Sequence, residues 1–210
     1  MNIIRRIRSL FPSSETIEGY EHPELVEVVF QKTKAYTPDS RWSETAKTVL
    51  DFGGGCGLHY KEAGLDARWA VVETAAMVAR ASELATDKLK FFTSIQAAAE
   101  WLETVDLVHS NGALQYTPDP CKTLNELVAI GADVMIWRRL AFSENAKTET
   151  QTSNLIDNGP GRIISARNKL VRYSVNKIPE SEFIEAHGPY KLTDRSANNF
   201  RFVRSLAESC

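Results

Sequence analysis

The residues of this chain best suited to chemistry form a glycine-rich loop directly after a short apolar run. Residues 48–52 read TVLDF, and Gly53, Gly54, Gly55 and Gly57 follow at once. Glycine has no Cβ, so such a loop can adopt dihedral angles closed to other residues and bring its backbone close to a ligand. The pattern predicts a buried strand that ends at a ligand-binding turn.

A second acid lies further along the chain, at the end of another apolar run. Residues 68–73, RWAVVE, predict a buried strand that ends in Glu73. Nucleotide-binding α/β folds place a carboxylate about 20 residues beyond the first strand, where it accepts hydrogen bonds from ribose hydroxyls. The glycine order is G-x-G-x-G, and in the dinucleotide pattern the third glycine would fall at Leu58. The spacing therefore favours S-adenosylmethionine over NAD.

These motifs resemble those of the class I S-adenosylmethionine-dependent methyltransferases, with residues 51–57 matching the first motif and Glu73 the second acidic position. More narrowly, Gly19-Tyr20, DFGGG at 51–55, His109-Ser110 and ALQYTPDP at 113–120 resemble a bacterial family of methyltransferases associated with surface-polysaccharide gene clusters. The resemblance covers roughly residues 49–203. It implies S-adenosylmethionine as cofactor, S-adenosylhomocysteine as product and a small or saccharide-like acceptor.

The rest of the chain predicts an α/β fold of the Rossmann-like class I methyltransferase type. Apolar runs at residues 49–51, 69–73, 90–92, 105–109 and 133–140 predict strands, separated by helical segments at 58–63, 75–84, 95–102 and 121–130. This alternation predicts a parallel sheet with right-handed crossovers. A capped helix at 181–188 and a hairpin of strands 191–195 and 200–204 follow. We expect a seven-stranded, mostly parallel sheet whose last strand is antiparallel, as in the methyltransferase family.

Ligands of such sheets bind beyond the carboxyl ends of the strands, where four of these segments converge. His109 follows the fourth strand and is the candidate catalytic base for a hydroxyl or amine acceptor, although a structural histidine fits equally well. Asp51 is expected to accept backbone N–H bonds of the loop and to reach the methionine amino group through water. The residues predicted to bind the cofactor are Asp51, Gly53, Gly54, Gly55, Gly57, Glu73, Phe92, Thr93, Ser94, Ser110, Asn111 and Gln115.

Weaker predictions concern residues near this edge. Phe92, Thr93 and Ser94 would line the adenine pocket, where the chain lacks the acid that many relatives use. Cys56 is interpreted as a small filler and not a nucleophile. Further contacts with the cofactor or acceptor, each with packing or solvation as the alternative, are predicted for His59, Tyr60, Tyr20, Tyr36, Tyr116 and the polar run Gln151, Thr152, Asn154, Asp157 and Asn158.

Composition restricts the classes of function. The chain has 210 residues, a formal net charge of −2 and no basic stripe, so nothing indicates nucleic acid as a partner. Its three cysteines, Cys56, Cys121 and Cys210, lack metal-ligand spacing and indicate reduced, cytoplasmic thiols. Acids and histidines are dispersed, so no metal site is predicted. No apolar run is long enough to be a transmembrane segment.

The predicted organisation is an N-terminal helical segment or cap, residues 1–48, and a cofactor-binding domain, residues 49–210. A helix at 23–33 would lie over the cofactor edge, and a lid insertion is expected at about 143–175. Residues 1–11 lack the apolar core of a signal peptide. They predict an amphipathic helix that either packs on the domain or makes a peripheral membrane contact.

Two alternatives to the methyltransferase interpretation stay open. An NAD(P)-dependent oxidoreductase is disfavoured by the glycine spacing and by the final hairpin. A catalytically silent module that binds the cofactor or a partner agrees with every motif, because the motifs bear on binding and not on turnover. The sequence assigns neither the atom methylated nor an oligomeric state.

Overall fold

A computed structural model describes residues 16–38, 42–159 and 169–205, and its strands form two sheets. The strands are β1 (Thr16–Glu18), β2 (Thr48–Phe52), β3 (Arg68–Val72), β4 (Leu89–Phe92), β5 (Leu107–Asn111), β6 (Val134–Arg138), β7 (Lys147–Asn154), β8 (Leu170–Lys177), β9 (Tyr190–Ser196) and β10 (Asn199–Arg204). The main sheet has seven strands in the order β4-β3-β2-β5-β6-β10-β9. Strands β2 to β6 are parallel, and β10 is antiparallel to both of its neighbours. The fold predicted from the sequence is therefore confirmed.

The helices connect the parallel strands and begin where the sequence supplies a cap. They are α1 (Pro23–Ala35), α2 (Leu58–Ala63), α3 (Ala75–Ala81), α4 (Ile95–Leu102), α5 (Pro120–Ala129) and α6 (Glu180–Ala186). The side chains of Thr74, Ser94 and Asp119 each accept a backbone N–H bond at the start of α3, α4 and α5. Helix α6 differs from the prediction, because it begins after Pro179 without a side-chain cap.

The direction of winding reverses between β2 and β5, which creates a crevice at their carboxyl ends. From β2 the chain continues through β3 to β4 on one side, and then returns to β5 and β6 on the other. In open α/β sheets ligands bind at such a switch point. The glycine loop follows β2 directly, and residues 112–116 follow β5, so both lie at this crevice.

The segment predicted as a lid contains a regular structure. Strands β7 and β8 pair antiparallel, and β8 also pairs in parallel with β1, giving a three-stranded sheet. Its inner residues Ile17, Val171, Tyr173 and Val175 pack against α1, α3 and Cys56. Residues 160–168, the predicted helix at residues 1–11 and Cys210 lie outside the described residues. Within those residues, no helix has the length and apolar character needed to cross a membrane.

The apolar side chains of the main sheet pack on both of its faces. One face carries Trp137, Phe183 and Phe202, together with α4, α5 and α6. The other face carries Val49, Trp69 and Leu107. Strands buried on both faces need continuous apolar runs, and for this reason five strands could be predicted from the sequence.

His187 is enclosed in this aromatic core, next to the last helix. Its ring stacks on Phe202 at a centroid distance of 3.9 Å, Nδ1–H donates to the Phe183 carbonyl at 2.7 Å, and Nε2 accepts from Trp137 Nε1 at 2.9 Å. Both nitrogens are thus satisfied by the neutral ring. Burial lowers the pKa of His187 to about 4.

We expect this histidine to make the fold less stable in mild acid. The unfolded chain takes up a proton near the ordinary pKa while folded His187 does not, so stability falls as the pH drops from the ordinary value towards the folded one. Between pH 7 and pH 5 the loss should be about 2 kcal/mol. Denaturant unfolding of wild type and His187→Phe measures it, since the variant lacks this contribution. An NMR titration showing His187 protonated near its ordinary pKa would contradict the expectation.

Candidate functional site

The glycine loop is wedged between the end of β5 and the Asp51 side chain. Gly53 has φ 71° and donates its N–H to the Val72 carbonyl at 2.9 Å. A Cβ on Gly53 would lie 2.0 Å from the Ala113 Cβ, and a Cβ on Gly54 would lie 2.2 Å from Asp51 Oδ2. At both positions a side chain would require the loop or its neighbour to shift, so both favour glycine.

Gly53→Ala should therefore cost more than backbone strain alone. Gly64 is a matched control: its φ of 57° is also positive, but a Cβ added there would have nothing within 4 Å. We expect Gly64→Ala to lower the free energy of unfolding by about 1 kcal/mol and Gly53→Ala by at least about 2 kcal/mol more. Chemical denaturation of both variants tests this, and equal losses would show that the clash at Ala113 is relieved without cost.

Glu73 lies at the end of β3 and contacts the glycine loop. Its Oε1 accepts the Gly55 N–H at 3.1 Å, and its Oε2 accepts the Thr74 N–H at 2.9 Å. Burial raises the pKa of Glu73, against the effect of these two bonds. Each oxygen can accept a further hydrogen bond, so the carboxylate can hold a diol while it fixes the loop.

Asp51 lies at the centre of a buried polar cluster on one face of the sheet. Its side chain is fully buried, and its oxygens accept Nδ1–H of His59 at 2.9 Å, Nδ1–H of His109 at 2.9 Å and Nε1–H of Trp69 at 3.2 Å. The parallel register places Asp51 directly opposite His109. This corrects the partners expected from the sequence: the donors that the described structure gives Asp51 are side chains and not backbone amides of the loop.

The cluster continues outwards through Asn111 to Arg139. Arg139 Nε donates to Asn111 Oδ1 at 2.6 Å, so the Asn111 amide nitrogen faces His59 Nε2 at 3.3 Å. His59 Nε2 then accepts, which selects the Nδ1–H tautomer of the neutral ring. Burial lowers the pKa of His59, but the Asp51 carboxylate outweighs this effect and raises it. The histidine donors hold the pKa of Asp51 well below its usual range, although burial opposes this.

His109, the predicted catalytic base, is a member of this cluster. It is 1 % exposed, and the Trp42 ring lies edge-on at a centroid distance of 5.1 Å. Burial lowers the pKa of His109, although the bond to Asp51 opposes this, so the ring is neutral at pH 7. These surroundings agree with the alternative of a structural histidine. The hydrogen-bond partner of His109 is the Asp51 carboxylate and not a backbone group.

Asp51, His59 and His109 also have the spacing of a metal-ligand set. One ligand atom from each lies within 4.8 Å of the other two. In the sequence the acids and histidines are dispersed, and no metal site was predicted. The fold brings these three together, although His59 lies 8 residues and His109 lies 58 residues after Asp51. In the present arrangement each histidine Nδ1 binds the carboxylate through a proton, which a metal ion would have to replace.

We expect Asp51→Asn to be costly for the fold, because an amide offers one acceptor where three N–H groups converge. Removing a buried charged acceptor costs about 1.5–3 kcal/mol for each hydrogen bond lost. Asp66, an exposed acid paired with Lys88, provides the control, and Asp66→Asn should cost less than about 1 kcal/mol. Denaturant unfolding at pH 7 compares them, and similar losses would mean that the cluster contributes little.

The remaining predicted cofactor residues lie at the same edge with varied partners. Phe92 ends β4 and packs on Trp101, while Thr93 and Ser94 are exposed and Ser94 Oγ caps α4. Ser110 and Gln115 are buried, and Ser110 Oγ and Gln115 Oε1 have no hydrogen-bond partner among the described residues. The contacts of these residues with the cofactor stay predictions.

Three tyrosines form a cluster where the small sheet meets this edge. Tyr20, Tyr116 and Tyr173 have ring centroids 4.6–5.3 Å apart. The Tyr116 hydroxyl donates to Gln151 Oε1 of β7 at 3.4 Å. Sequence reasoning missed Tyr173, although the alternating pattern of β8 was a signal for it. Gln151, from the predicted lid, is thus brought to the residues that follow β5.

Other residues proposed for the site have structural contacts. Tyr60 packs on Trp69 at a centroid distance of 6.0 Å, and Tyr36 donates to Glu62. Cys56 is 1 % exposed, and burial raises the pKa of its thiol to about 12, which disfavours a nucleophile.

Part of the polar run in the predicted lid forms a turn at residues 154–159, and the buried Lys32 donates hydrogen bonds to this turn. Lys32 Nζ donates to the carbonyls of Ile156, Asn158 and Gly159 at 2.6, 2.9 and 3.2 Å. Asn154 donates to Asp157, and Asn158 donates to Ser153. These amides are largely occupied in building the turn, and Thr152 pairs with Arg172 in the sheet register.

No protein-family model and no curated protein sequence matches this chain. Solved structures share its fold. A sugar N-methyltransferase from a Streptoalloteichus species has 15% identity over 96% of this chain and 91% of its own, with a TM-score of 0.52. DesVI from Streptomyces venezuelae has 13% identity over 96% and 97%, also with a TM-score of 0.52. These likenesses show the Rossmann-like methyltransferase fold.

Proposed function

We propose that this chain is an S-adenosylmethionine-dependent methyltransferase that acts on a small or saccharide-like acceptor. The observation that carries the proposal is the bond between Glu73 and the Gly55 amide at the switch point of the sheet. It joins a diol-binding carboxylate to a loop whose backbone can approach a ligand closely. The fold shared with a sugar N-methyltransferase supports the same function.

The residues at the switch point suit this cofactor better than a nicotinamide dinucleotide. The ribose hydroxyls would bind Glu73, and the backbone of residues 53–57 would face the methionine end. Phe92, Thr93 and Ser94 would border the adenine, while Ser110, Asn111 and Gln115 would lie towards the methyl group. The G-x-G-x-G order and the antiparallel strand β10 both disfavour an NAD(P)-dependent oxidoreductase.

When bound, S-adenosylmethionine supplies an activated methyl group on a sulfonium, so transfer needs mainly an aligned acceptor and the exclusion of water. Tyr20, Tyr116 and Gln151 would border the entrance for the acceptor, and Tyr116 contacts the other two. Asp51 holds Nδ1–H of His109 as an acid orients a general base, which leaves Nε2 to take a proton. The His109 ring is 1 % exposed, so an acceptor reaches that atom only if the side chains around the ring move.

Several finer points belong to the same proposal. Residues 143–175 would cover the acceptor as a lid, and residues 1–48 would form a cap. Surface-polysaccharide synthesis is the process that the sequence resemblance suggests. The free thiols Cys56 and Cys121 fit a cytoplasmic location. We assign no nucleic-acid partner and no oligomeric state.

Calorimetric titration with S-adenosylmethionine, S-adenosylhomocysteine and NADH tests the proposal. We expect micromolar binding of the first two. Glu73→Ala should weaken it by about 1.5–3 kcal/mol, the usual value of hydrogen bonds to a charged group. Gly55→Val should abolish it, since Gly55 has a φ of 59°. Glu100→Ala, an exposed acid on α4, is the control and should bind as wild type does.

The outcomes separate the alternatives. NADH binding alone would favour the oxidoreductase. No binding of any of the three by folded protein would contradict the proposal and favour a silent interaction module. If S-adenosylmethionine and S-adenosylhomocysteine both bind, transfer of a labelled methyl group to an acceptor then tests turnover.

A further inference from the structure

Arg139 follows β6 at the carboxyl edge of the sheet in a conformation that long side chains rarely adopt. Its φ is 52°, in the left-handed region. Its side chain is exposed. Such a backbone conformation is strained and persists only when its surroundings fix it, as they often do at functional sites.

The surroundings of Arg139 fix both its backbone and one edge of its guanidinium. Its N–H donates to Asn199 Oδ1 at 3.0 Å, and its carbonyl accepts from Gln115 Nε2 at 3.1 Å. Nε donates to Asn111 Oδ1 at 2.6 Å, and Nη2 donates to the Asn111 carbonyl at 3.3 Å. Gly112 provides the space, since a Cβ there would lie 3.2 Å from Nη2.

The opposite edge of the guanidinium is left available. No hydrogen bond of Nη1 to the described part of the chain is seen, and no described carboxylate pairs with Arg139 or with the adjacent Arg138. Five other arginines in that part of the chain pair with acids, and Arg204 does not; the five are Arg68, Arg80, Arg172, Arg195 and Arg201. Arg139 is therefore a positioned fork without a counter-charge, the geometry that binds carboxylates and phosphates.

From this geometry we infer that Arg139 binds an oxyanion, a carboxylate or phosphate group carried by the methyl acceptor. Asn111 and Arg138 are in register across β5 and β6, so Arg139 lies one strand beyond the switch point between β2 and β5. A ligand held there would extend over the residues after β5 towards the methyl donor. The assignment to the acceptor rests on the proposed function, whereas the oxyanion site itself does not.

The test is an NMR titration of the ¹⁵N-labelled full chain with inorganic phosphate and, separately, with acetate. S-adenosylhomocysteine binding is measured first on the same preparation, so failure of the proposed function is seen independently. The Nε–Hε signal of Arg139 is assigned by its loss in Arg139→Lys. We expect a saturable shift of this signal, with a dissociation constant on the order of 1 mM, for at least one probe.

Arg204 provides a matched control on the opposite edge of the sheet. It is exposed, it donates to the carbonyl of Gly131, and no described acid pairs with it. Because Arg139→Gln lacks the Nε–Hε signal, binding by the variants is followed through the backbone amide signal of Gly112, which lies against the guanidinium. Arg139→Gln should weaken binding of the effective probe at least about tenfold, and Arg204→Gln should leave it unchanged. A response to phosphate alone indicates a phosphorylated acceptor, and a response to acetate alone a carboxylate. No saturable shift in folded wild type, or unchanged affinity in Arg139→Gln, would overturn the inference.

Discussion

The buried carboxylate of Asp51 is the interaction on which the candidate site depends. A charge with no exposure to water is tolerated only when hydrogen bonds replace its hydration. His59, His109 and Trp69 supply those bonds from α2, β5 and β3. Three elements around β2 are thereby held in one arrangement at the point where the ligand crevice opens.

The same carboxylate limits the loop that follows β2. Gly54 passes so close to Asp51 that a side chain would collide with it, and Gly53 passes equally close to Ala113. The Asp51 side chain therefore limits the space for the loop, and Glu73 accepts a hydrogen bond from its Gly55 amide. Asp51 acts on the packing of the loop, and Glu73 binds its backbone at Gly55 and is the residue that we propose binds the ribose.

The sequence allowed the main sheet to be predicted, because strands buried on both faces leave continuous apolar runs. The glycine loop and Glu73 could also be recognised in the sequence. Close contacts at Gly53 and Gly54 favour glycine, and Glu73 is the acid that binds the loop. The Asp51 cluster was hidden, since the pairing of Asp51 with His109 depends on the register of two strands that are 58 residues apart. Strand β7 was hidden because it is polar on both faces, whereas the alternation of Val171, Tyr173 and Val175 in β8 was a legible signal. The bonds that hold Arg139 come from Gln115, Asn111 and Asn199, none of which is near it in sequence.

The chain of bonds from Arg139 through Asn111 and His59 to Asp51 has a polarity. A guanidinium only donates and a carboxylate only accepts, so the two ends differ and every group between them must point the same way. The Asn111 amide and the His59 tautomer are then set by their neighbours and have no second orientation of equal energy. A chain closed at both ends by groups able to donate and accept would have two opposite orientations. By ending in an arginine on the surface, this chain of bonds fixes both the orientation of the Asn111 amide and the tautomer of His59.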